Sequence, residues 1–164
     1  MGADGNRAHW WWREAPTGQG RAVVVDVDGV LADAQGRQHH LAWDRWDWDA
    51  FFEDVGDDPV IDEVRTLVSL LDPALVVLLV TARPIRVREQ TRAWLDAHAL
   101  RWDLLVMRPA DELAPADIFK RAVVEELRDA GLTLELAMED DPRNREMYHE
   151  AGVPCLYVHS GYYD

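Results

Sequence analysis

Cysteine is almost absent from this sequence of 164 residues, since Cys155 is the only one. A single cysteine cannot form an internal disulfide, so the sequence gives no indication of an oxidising compartment. Long apolar runs are absent as well, because the longest, residues 74–80, is far shorter than the ~20 residues that a membrane span needs. The first residues also lack the apolar core of a signal peptide. We therefore expect a cytoplasmic protein that does not associate with a membrane.

Positive charge is scarce. The chain has 17 lysine and arginine residues against 31 aspartate and glutamate residues, a formal net charge of -14. Part of this excess is local, since residues 44–63 contain a single basic residue, Arg45, among many acidic ones. Proteins that bind nucleic acid along its backbone usually have the opposite balance. The charge therefore argues against tight binding to a long stretch of nucleic acid.

Short apolar segments alternate with helical patterns along most of the chain. Five segments without polar alternation indicate strands buried on both faces, at residues 22–25, 75–80, 104–107, 134–138 and 155–158. An apolar stripe with helical spacing lies between each successive pair of them. This order predicts an α/β fold, a three-layer Rossmann-like sandwich around a central parallel five-stranded sheet. Residues 1–20, which include three tryptophans at 10–12, are predicted to form a flexible N-terminal tail before one domain at 21–164.

Polar side chains follow most of the predicted strands, where an open parallel sheet binds its ligands. These side chains are Asp26, Asp28, Thr81, Arg83, Asp140 and Asp141. Carboxylates gathered at one edge repel each other unless a cation lies between them, and oxygen ligands suit Mg²⁺. No histidine and cysteine grouping has the spacing of a zinc site. An ordinary turn after a strand is the alternative interpretation of the Asp-Val-Asp-Gly sequence.

Four segments, DVDGVLAD, LLVTAR, DIFKRAVVEEL and AMEDDPRN, occur in this order. They resemble the four motifs of the haloacid dehalogenase (HAD) superfamily. The longer segments VVVDVDGVLADAQGR and LAMEDDPRNREMYHEAGVPCLYVHSGYYD are similar to the 3′-phosphatase domain of phage-type polynucleotide kinase-phosphatases. The phosphate-binding loop of the kinase half, G-x-x-x-x-G-K-[ST], does not occur in the sequence. The resemblance extends over residues 21–164 and implies a HAD-like phosphatase with a minimal cap.

The resemblance implies a role for each matching residue. Asp26 would be the nucleophile that forms an aspartyl-phosphate, and Asp28 would be the general acid and then the base. Thr81 would hydrogen-bond the phosphoryl oxygens, although a threonine there also suits the cap of a following helix. Lys120 would neutralise charge on the reacting groups, with its neighbour Arg121 as the alternative.

The resemblance also implies the metal ligands and the phosphate contacts. Mg²⁺ would be bound by Asp26, the backbone carbonyl of Asp28 and Asp140, with Asp141 as an alternative ligand or as a residue behind the ligands. Arg37 lies at the position of an arginine that follows the first motif in the family. Arg37 and Arg83 are therefore candidate substrate contacts, together with Gly29 and Ala82; the alternative is that both arginines are surface side chains in loops.

These observations predict a Mg²⁺-dependent phosphomonoester hydrolase that acts on nucleotide or polynucleotide-end phosphates, at the 3′ or the 5′ position. Residues 43–58 form the candidate cap and contain Trp43, Trp46, Trp48, Phe51 and Phe52, which either stack on a base or pack the cap onto the core. One alternative is a HAD phosphatase for a small sugar phosphate. Another is a non-catalytic interaction module that keeps the fold.

Overall fold

The computed structural model describes residues 7–14, 19–42 and 46–164. Its six strands are β1 (Trp10–Trp12), β2 (Gly20–Val25), β3 (Val76–Pro84), β4 (Leu104–Arg108), β5 (Leu132–Glu139) and β6 (Cys155–Tyr157). They form one sheet in the order β1-β4-β3-β2-β5-β6. The strands from β2 to β6 are parallel to their neighbours, whereas β1 is antiparallel to β4. The carboxyl ends of β3, β2 and β5 therefore lie side by side in the middle of the sheet.

The predicted α/β class is confirmed, but the predicted number of strands is one too low. The sixth strand, β1, lies in the segment predicted to be a tail. Trp10 and Trp12 pack against the core on one face of the sheet, and Trp11 packs against the core on the other. The Trp10 indole N–H donates to Glu126 at 3.1 Å. Three residues are too few to show a strand period, and contacts with distant segments position this strand.

The structure describes only part of the predicted N-terminal tail. Residues 1–6 and 15–18 lie outside the described residues. The domain boundary at residue 20 stays a prediction, although β1 shows that part of the preceding segment belongs to the sheet.

In the part of the chain that the structure describes, five α-helices accompany the sheet: α1 (Trp48–Glu53), α2 (Asp62–Ser69), α3 (Arg88–Ala97), α4 (Ala116–Asp129) and α5 (Pro142–Glu150). Apolar residues of α2 and α3 pack with Val23 and Val25 on one face of the sheet. Those of α4 and α5 pack with Ala22 and Val24 on the other face, which completes the three predicted layers. Within residues 7–14, 19–42 and 46–164, no helix combines the length and the apolar character that crossing a membrane requires.

A short cap connects β2 to α2. It consists of a 3-10 helix at Ala34–Leu41, the six-residue helix α1 and a second 3-10 helix at Val55–Asp57. Residues 43–45 lie outside the described residues, so the prediction for Trp43 is not addressed by the structure. Val55 belongs to the core and Phe52 packs against it, so both residues anchor the cap to the rest of the domain.

Candidate active site

Asp26 follows β2 at the centre of the sheet. Its backbone N–H donates to the carbonyl of Met138 in β5 at 3.1 Å, which ties the end of β2 to the neighbouring strand. The chain then turns sharply, because the N–H of Leu31 bonds the carbonyl of Val27 at 2.9 Å. This turn leaves the Asp26 carboxylate 8% exposed at the carboxyl edge of the sheet.

Lys120 on α4 reaches this carboxylate. Its Nζ lies 3.0 Å from Asp26 Oδ1, and it also donates a short hydrogen bond to Glu139. Lys120 is 2% exposed, so both carboxylates compensate a charge that would be costly to bury alone. The neighbouring Arg121 has a 43% exposed side chain and pairs with Glu150. The structure therefore brings Lys120, and not Arg121, to Asp26.

Glu139, the last residue of β5, is a site residue that the sequence reasoning did not identify. It is completely buried, and its carboxylate accepts from Lys120. Burial and the charge of Asp26 raise the pKa of Glu139 to about 7, while Lys120 opposes this shift. The available signal was a third acid directly before Asp140 and Asp141, at the end of a strand otherwise predicted to be apolar.

Three carboxyl groups form a candidate metal site. Ligand oxygens of Asp26, Glu139 and Asp140 all lie within 4.8 Å of one another. Asp140 is 1% exposed, and its Oδ2 has no hydrogen-bond partner within the described part of the chain. Burial and the charge of Asp26 raise the pKa of Asp140 to about 8. An unpartnered buried oxygen among carboxylates fits a hard divalent cation such as Mg²⁺.

Gly29 makes room for this arrangement. Its φ is +79°, which side chains rarely adopt, and a Cβ atom there would lie 2.0 Å from Asp140 Oδ2. Only glycine permits both the turn and the position of Asp140.

Asp141 has a different structural role from Asp140. Its carboxylate accepts from the backbone N–H of Arg143 at 2.9 Å and from the Arg143 side chain at 3.0 Å. It is therefore the N-cap of α5, which satisfies backbone donors at the start of that helix. Of the two adjacent acids, Asp140 is the one that lies beside Asp26.

Asp28 lies against two buried arginines. Its Oδ1 accepts from Arg37 Nη2 at 2.6 Å and from Arg83 Nη2 at 2.8 Å. Burial raises the pKa of Asp28, but the two guanidinium groups outweigh it and hold the pKa at about 2. Arg37 and Arg83 are 3% and 0% exposed, so the interpretation of both as surface side chains is wrong.

A second residue missed by the sequence reasoning, Asp58, holds these arginines in place. Its carboxylate accepts two hydrogen bonds from Arg37, at 2.8 and 2.6 Å, and one from Arg83 at 3.3 Å. In the sequence, Asp58 is one of many acids in the cap and nothing distinguishes it.

Thr81 and Ala82 lie in β3, the strand that pairs with β2. The Thr81 hydroxyl oxygen accepts from the backbone N–H of Arg83 at 3.1 Å, and Thr81 is 1% exposed. The following 3-10 helix begins after Pro84, so Thr81 is not its cap. Ala82 is half-buried.

Residues 20–163 match the model of a family described as the polynucleotide kinase PNKP phosphatase domain. No curated protein is similar enough in sequence to count as a match.

Several solved structures are similar. Chains in two structures of a Pnkp1/Rnl/Hen1 complex, one described as an RNA repair complex, superpose with TM-scores of 0.73 and 0.74 at 22% and 23% identity. These alignments cover 91% and 93% of this chain but 45% and 50% of the other chains, so this chain spans about half their length. A class C acid phosphatase from Bacillus anthracis with tungstate bound superposes with a TM-score of 0.61 at 11% identity, over 90% of this chain and 69% of the other. At these identities, the likeness concerns the fold.

Proposed function

Because this chain belongs to the family of polynucleotide kinase PNKP phosphatase domains, we propose that it is a Mg²⁺-dependent phosphomonoester hydrolase that forms an aspartyl-phosphate. Its substrates in this proposal are nucleotide or polynucleotide-end phosphates. The observation that carries the proposal is the placement of Lys120 3.0 Å from Asp26, with an oxygen of Asp140 within 4.8 Å of the same carboxylate. The cytoplasmic location predicted from the sequence forms part of the proposal.

The first step is the attack of Asp26 on the phosphorus of the ester. The bond from phosphorus to the ester oxygen breaks as the bond to Asp26 forms. Both reactants are anionic, so the ammonium group of Lys120 is needed to offset their repulsion. Asp26, Asp140 and Glu139 would hold Mg²⁺, which supplies further positive charge at the transferring phosphoryl group.

Asp28 would donate a proton to the departing alcohol. In the second step it would take a proton from the water that attacks the aspartyl-phosphate, which releases inorganic phosphate and restores Asp26. In the substrate-free protein, Arg37 and Arg83 keep Asp28 ionised. Phosphate oxygens of a substrate compete for the same guanidinium groups, so substrate binding raises the pKa of Asp28 and allows it to carry the proton.

The net charge of -14 bears on the choice among substrates. It disfavours a long polyanion that lies along the surface and suits a mononucleotide or a short contact at a chain end. The experiment measures phosphate release with Mg²⁺ and with EDTA from a 3′-phosphorylated oligonucleotide, from 3′- and 5′-mononucleotides and from a sugar phosphate. The Asp26→Asn variant is the control.

Each outcome of this panel has a clear meaning. Preference for the oligonucleotide identifies a phosphatase of nucleic-acid ends, and preference for mononucleotides identifies a nucleotidase. Release mainly from the sugar phosphate supports the alternative of a small-metabolite phosphatase. Absence of any release that depends on Asp26 contradicts the proposal and favours a non-catalytic interaction module.

A further inference from the structure

Two tryptophans of the cap are exposed although the nearby Phe51 is buried. Trp46 is 72% exposed and Trp48 is 47% exposed, whereas Phe51 is 5% exposed. The Trp48 ring stacks on Phe52 with a centroid distance of 5.9 Å and an interplanar angle of 22°. Phe52 packs against the core and carries the Trp48 ring, whereas both tryptophans remain exposed to solvent. Core packing accounts for the two phenylalanines but not for the exposed indoles.

The aromatic cluster of Trp46, Trp48, Phe51 and Phe52 contacts the candidate active site through Arg37. The Arg37 guanidinium lies 4.3 Å from the centroid of the Phe51 ring, and its Nη1 donates to the Phe51 carbonyl at 2.7 Å. The same guanidinium donates to Asp28 at 2.6 Å. The Trp48 ring lies 5.6 Å from Phe51, so one residue separates it from an arginine of the candidate phosphate site.

The charge around the tryptophans limits what can bind there. Residues 46–63 contain no lysine or arginine. Five acidic residues of this stretch are exposed around α1: Asp47, Asp49, Glu53, Asp54 and Asp57. Of these, Asp49 pairs with Arg86 at 2.7 Å, so the surface keeps an excess of negative charge. A phosphodiester backbone across this surface would meet like charge, whereas an uncharged ring would not. The surface therefore suits the base of a nucleotide rather than its phosphates.

We propose that Trp46 and Trp48 form a stacking site for the base of the nucleotide whose phosphate is bound near Asp26 and Arg37. This inference rests on the proposed phosphatase function and specifies its substrate as an ester that carries a base. Stacking on an aromatic side chain accepts any base, since each base has a flat π face, and it contributes about tenfold to binding.

The test compares a nucleotide with the same sugar phosphate that lacks a base. The substrates are adenosine 5′-monophosphate with ribose 5-phosphate, and adenosine 3′-monophosphate with its base-free analogue. The variants are W46A/W48A, W46F/W48F and, as a matched control for an exposed apolar side chain, Leu70→Ala, because Leu70 is 77% exposed on another surface. The measured quantity is the ratio of kcat/KM for the nucleotide to kcat/KM for the base-free ester.

In W46A/W48A this ratio falls about tenfold, through KM rather than kcat. W46F/W48F keeps most of the ratio, and Leu70→Ala keeps all of it. A ratio in W46A/W48A equal to that of the wild type overturns the inference. This holds whether the two kcat/KM values are unchanged or both fall by the same factor. In that case the tryptophans are left as a contact surface for another protein.

A binding measurement separates this inference from the proposed function. Calorimetry in the Asp26→Asn background gives the Kd for adenosine monophosphate with and without the tryptophans, and no turnover is needed. A weakening of about tenfold supports the stacking site even where no ester is hydrolysed, and an unchanged Kd overturns it. Absence of hydrolysis by the wild type contradicts only the phosphatase proposal.

Discussion

The ammonium group of Lys120 lies 3.0 Å from a carboxylate oxygen of Asp26, and both side chains are almost completely buried. A nucleophilic carboxylate next to a fixed positive charge can approach a phosphate that would otherwise repel it. The same lysine also bonds Glu139, so its position is held from two sides. This relationship leads to the first of four predictions.

Replacement of Lys120 by glutamine is expected to lower kcat at least ~100-fold, because a preorganised positive charge at the reacting group is lost. The neighbouring variant Arg121→Gln should retain activity close to that of the wild type, since the Arg121 side chain is 43% exposed and pairs with Glu150. Steady-state kinetics with saturating Mg²⁺ measure both, and circular dichroism confirms folding. Equal losses in the two variants would contradict the role assigned to Lys120.

Replacement of Asp28 by asparagine is expected to affect the two chemical steps differently. With p-nitrophenyl phosphate the leaving group needs no proton, so Asp26 still forms the aspartyl-phosphate, but its hydrolysis lacks a base. Rapid kinetics should therefore show a burst of one nitrophenolate per enzyme, followed by turnover slower by about 100-fold or more. With a nucleotide, the first step is slow as well and no burst appears.

The Asp26→Asn variant is the control for this experiment and should show neither burst nor turnover. A linear time course without a burst in Asp28→Asn, at a rate similar to the wild type, would exclude Asp28 as the acid and base.

Replacement of Gly29 by alanine is expected to disturb the candidate metal site. The added Cβ would lie 2.0 Å from Asp140 Oδ2, and the backbone there has a φ of +79°. Asp140 must move, so the Mg²⁺ concentration that gives half-maximal activity should rise at least ~10-fold. Gly56→Ala is the matched control, because nothing lies within 4 Å of the position of its added Cβ. A Mg²⁺ requirement that is the same in both variants would refute this account of Gly29.

The stability of the metal-free protein should fall as the pH rises. In the folded protein the pKa of Glu139 is about 7 and that of Asp140 is about 8, both above the ordinary values of 4.5 and 3.8. Between the ordinary pKa values and about pH 8, the folded state binds protons that the unfolded chain has lost. The stability of the folded state is therefore highest at the acidic end of this pH range and decreases towards pH 8. Asp28, with a pKa of about 2, does not titrate there.

In EDTA, Tm should thus be lower by several degrees near pH 8 than near pH 6. Mg²⁺ should raise Tm most at the higher pH, where no protons compete for the carboxylates. Asp140→Asn should raise Tm in EDTA near pH 8 and remove most of the Mg²⁺ effect. A Tm in EDTA that is constant or rises with pH would show that these carboxyl groups are ionised without metal.

The sequence alone predicted much of the architecture. Strands buried on both faces are continuous apolar runs, and helices on a sheet carry an apolar stripe, so short windows of sequence predicted five of the six strands and four of the helices. The placement of Asp26 and Asp140 directly after parallel strands was also predicted, because parallel strands bring their carboxyl ends to one edge. The predicted end of the third strand was wrong, since β3 continues through Thr81 to Pro84.

The identity of the site residues among adjacent candidates depended on the tertiary structure. Lys120 and Arg121 are neighbours in sequence, yet the rotation of α4 on the sheet buries one and exposes the other. Glu139, Asp140 and Asp141 are consecutive acids in different surroundings. Glu139 accepts from Lys120, Asp141 accepts from the backbone of α5, and Asp140 Oδ2 has no hydrogen-bond partner within the described residues.

The sequence by itself determined which chemical groups this protein can use. The local pattern of apolar residues determines the strands and helices, and these determine where polar residues lie along the edge of the sheet. The tertiary structure decided which of those groups act together. Asp58 holds two arginines from 21 and 25 residues away, and β1 joins the sheet by pairing with β4, almost a hundred residues further along the chain. Such contacts join segments that are distant in the chain, so no short pattern of residues in the sequence predicts them.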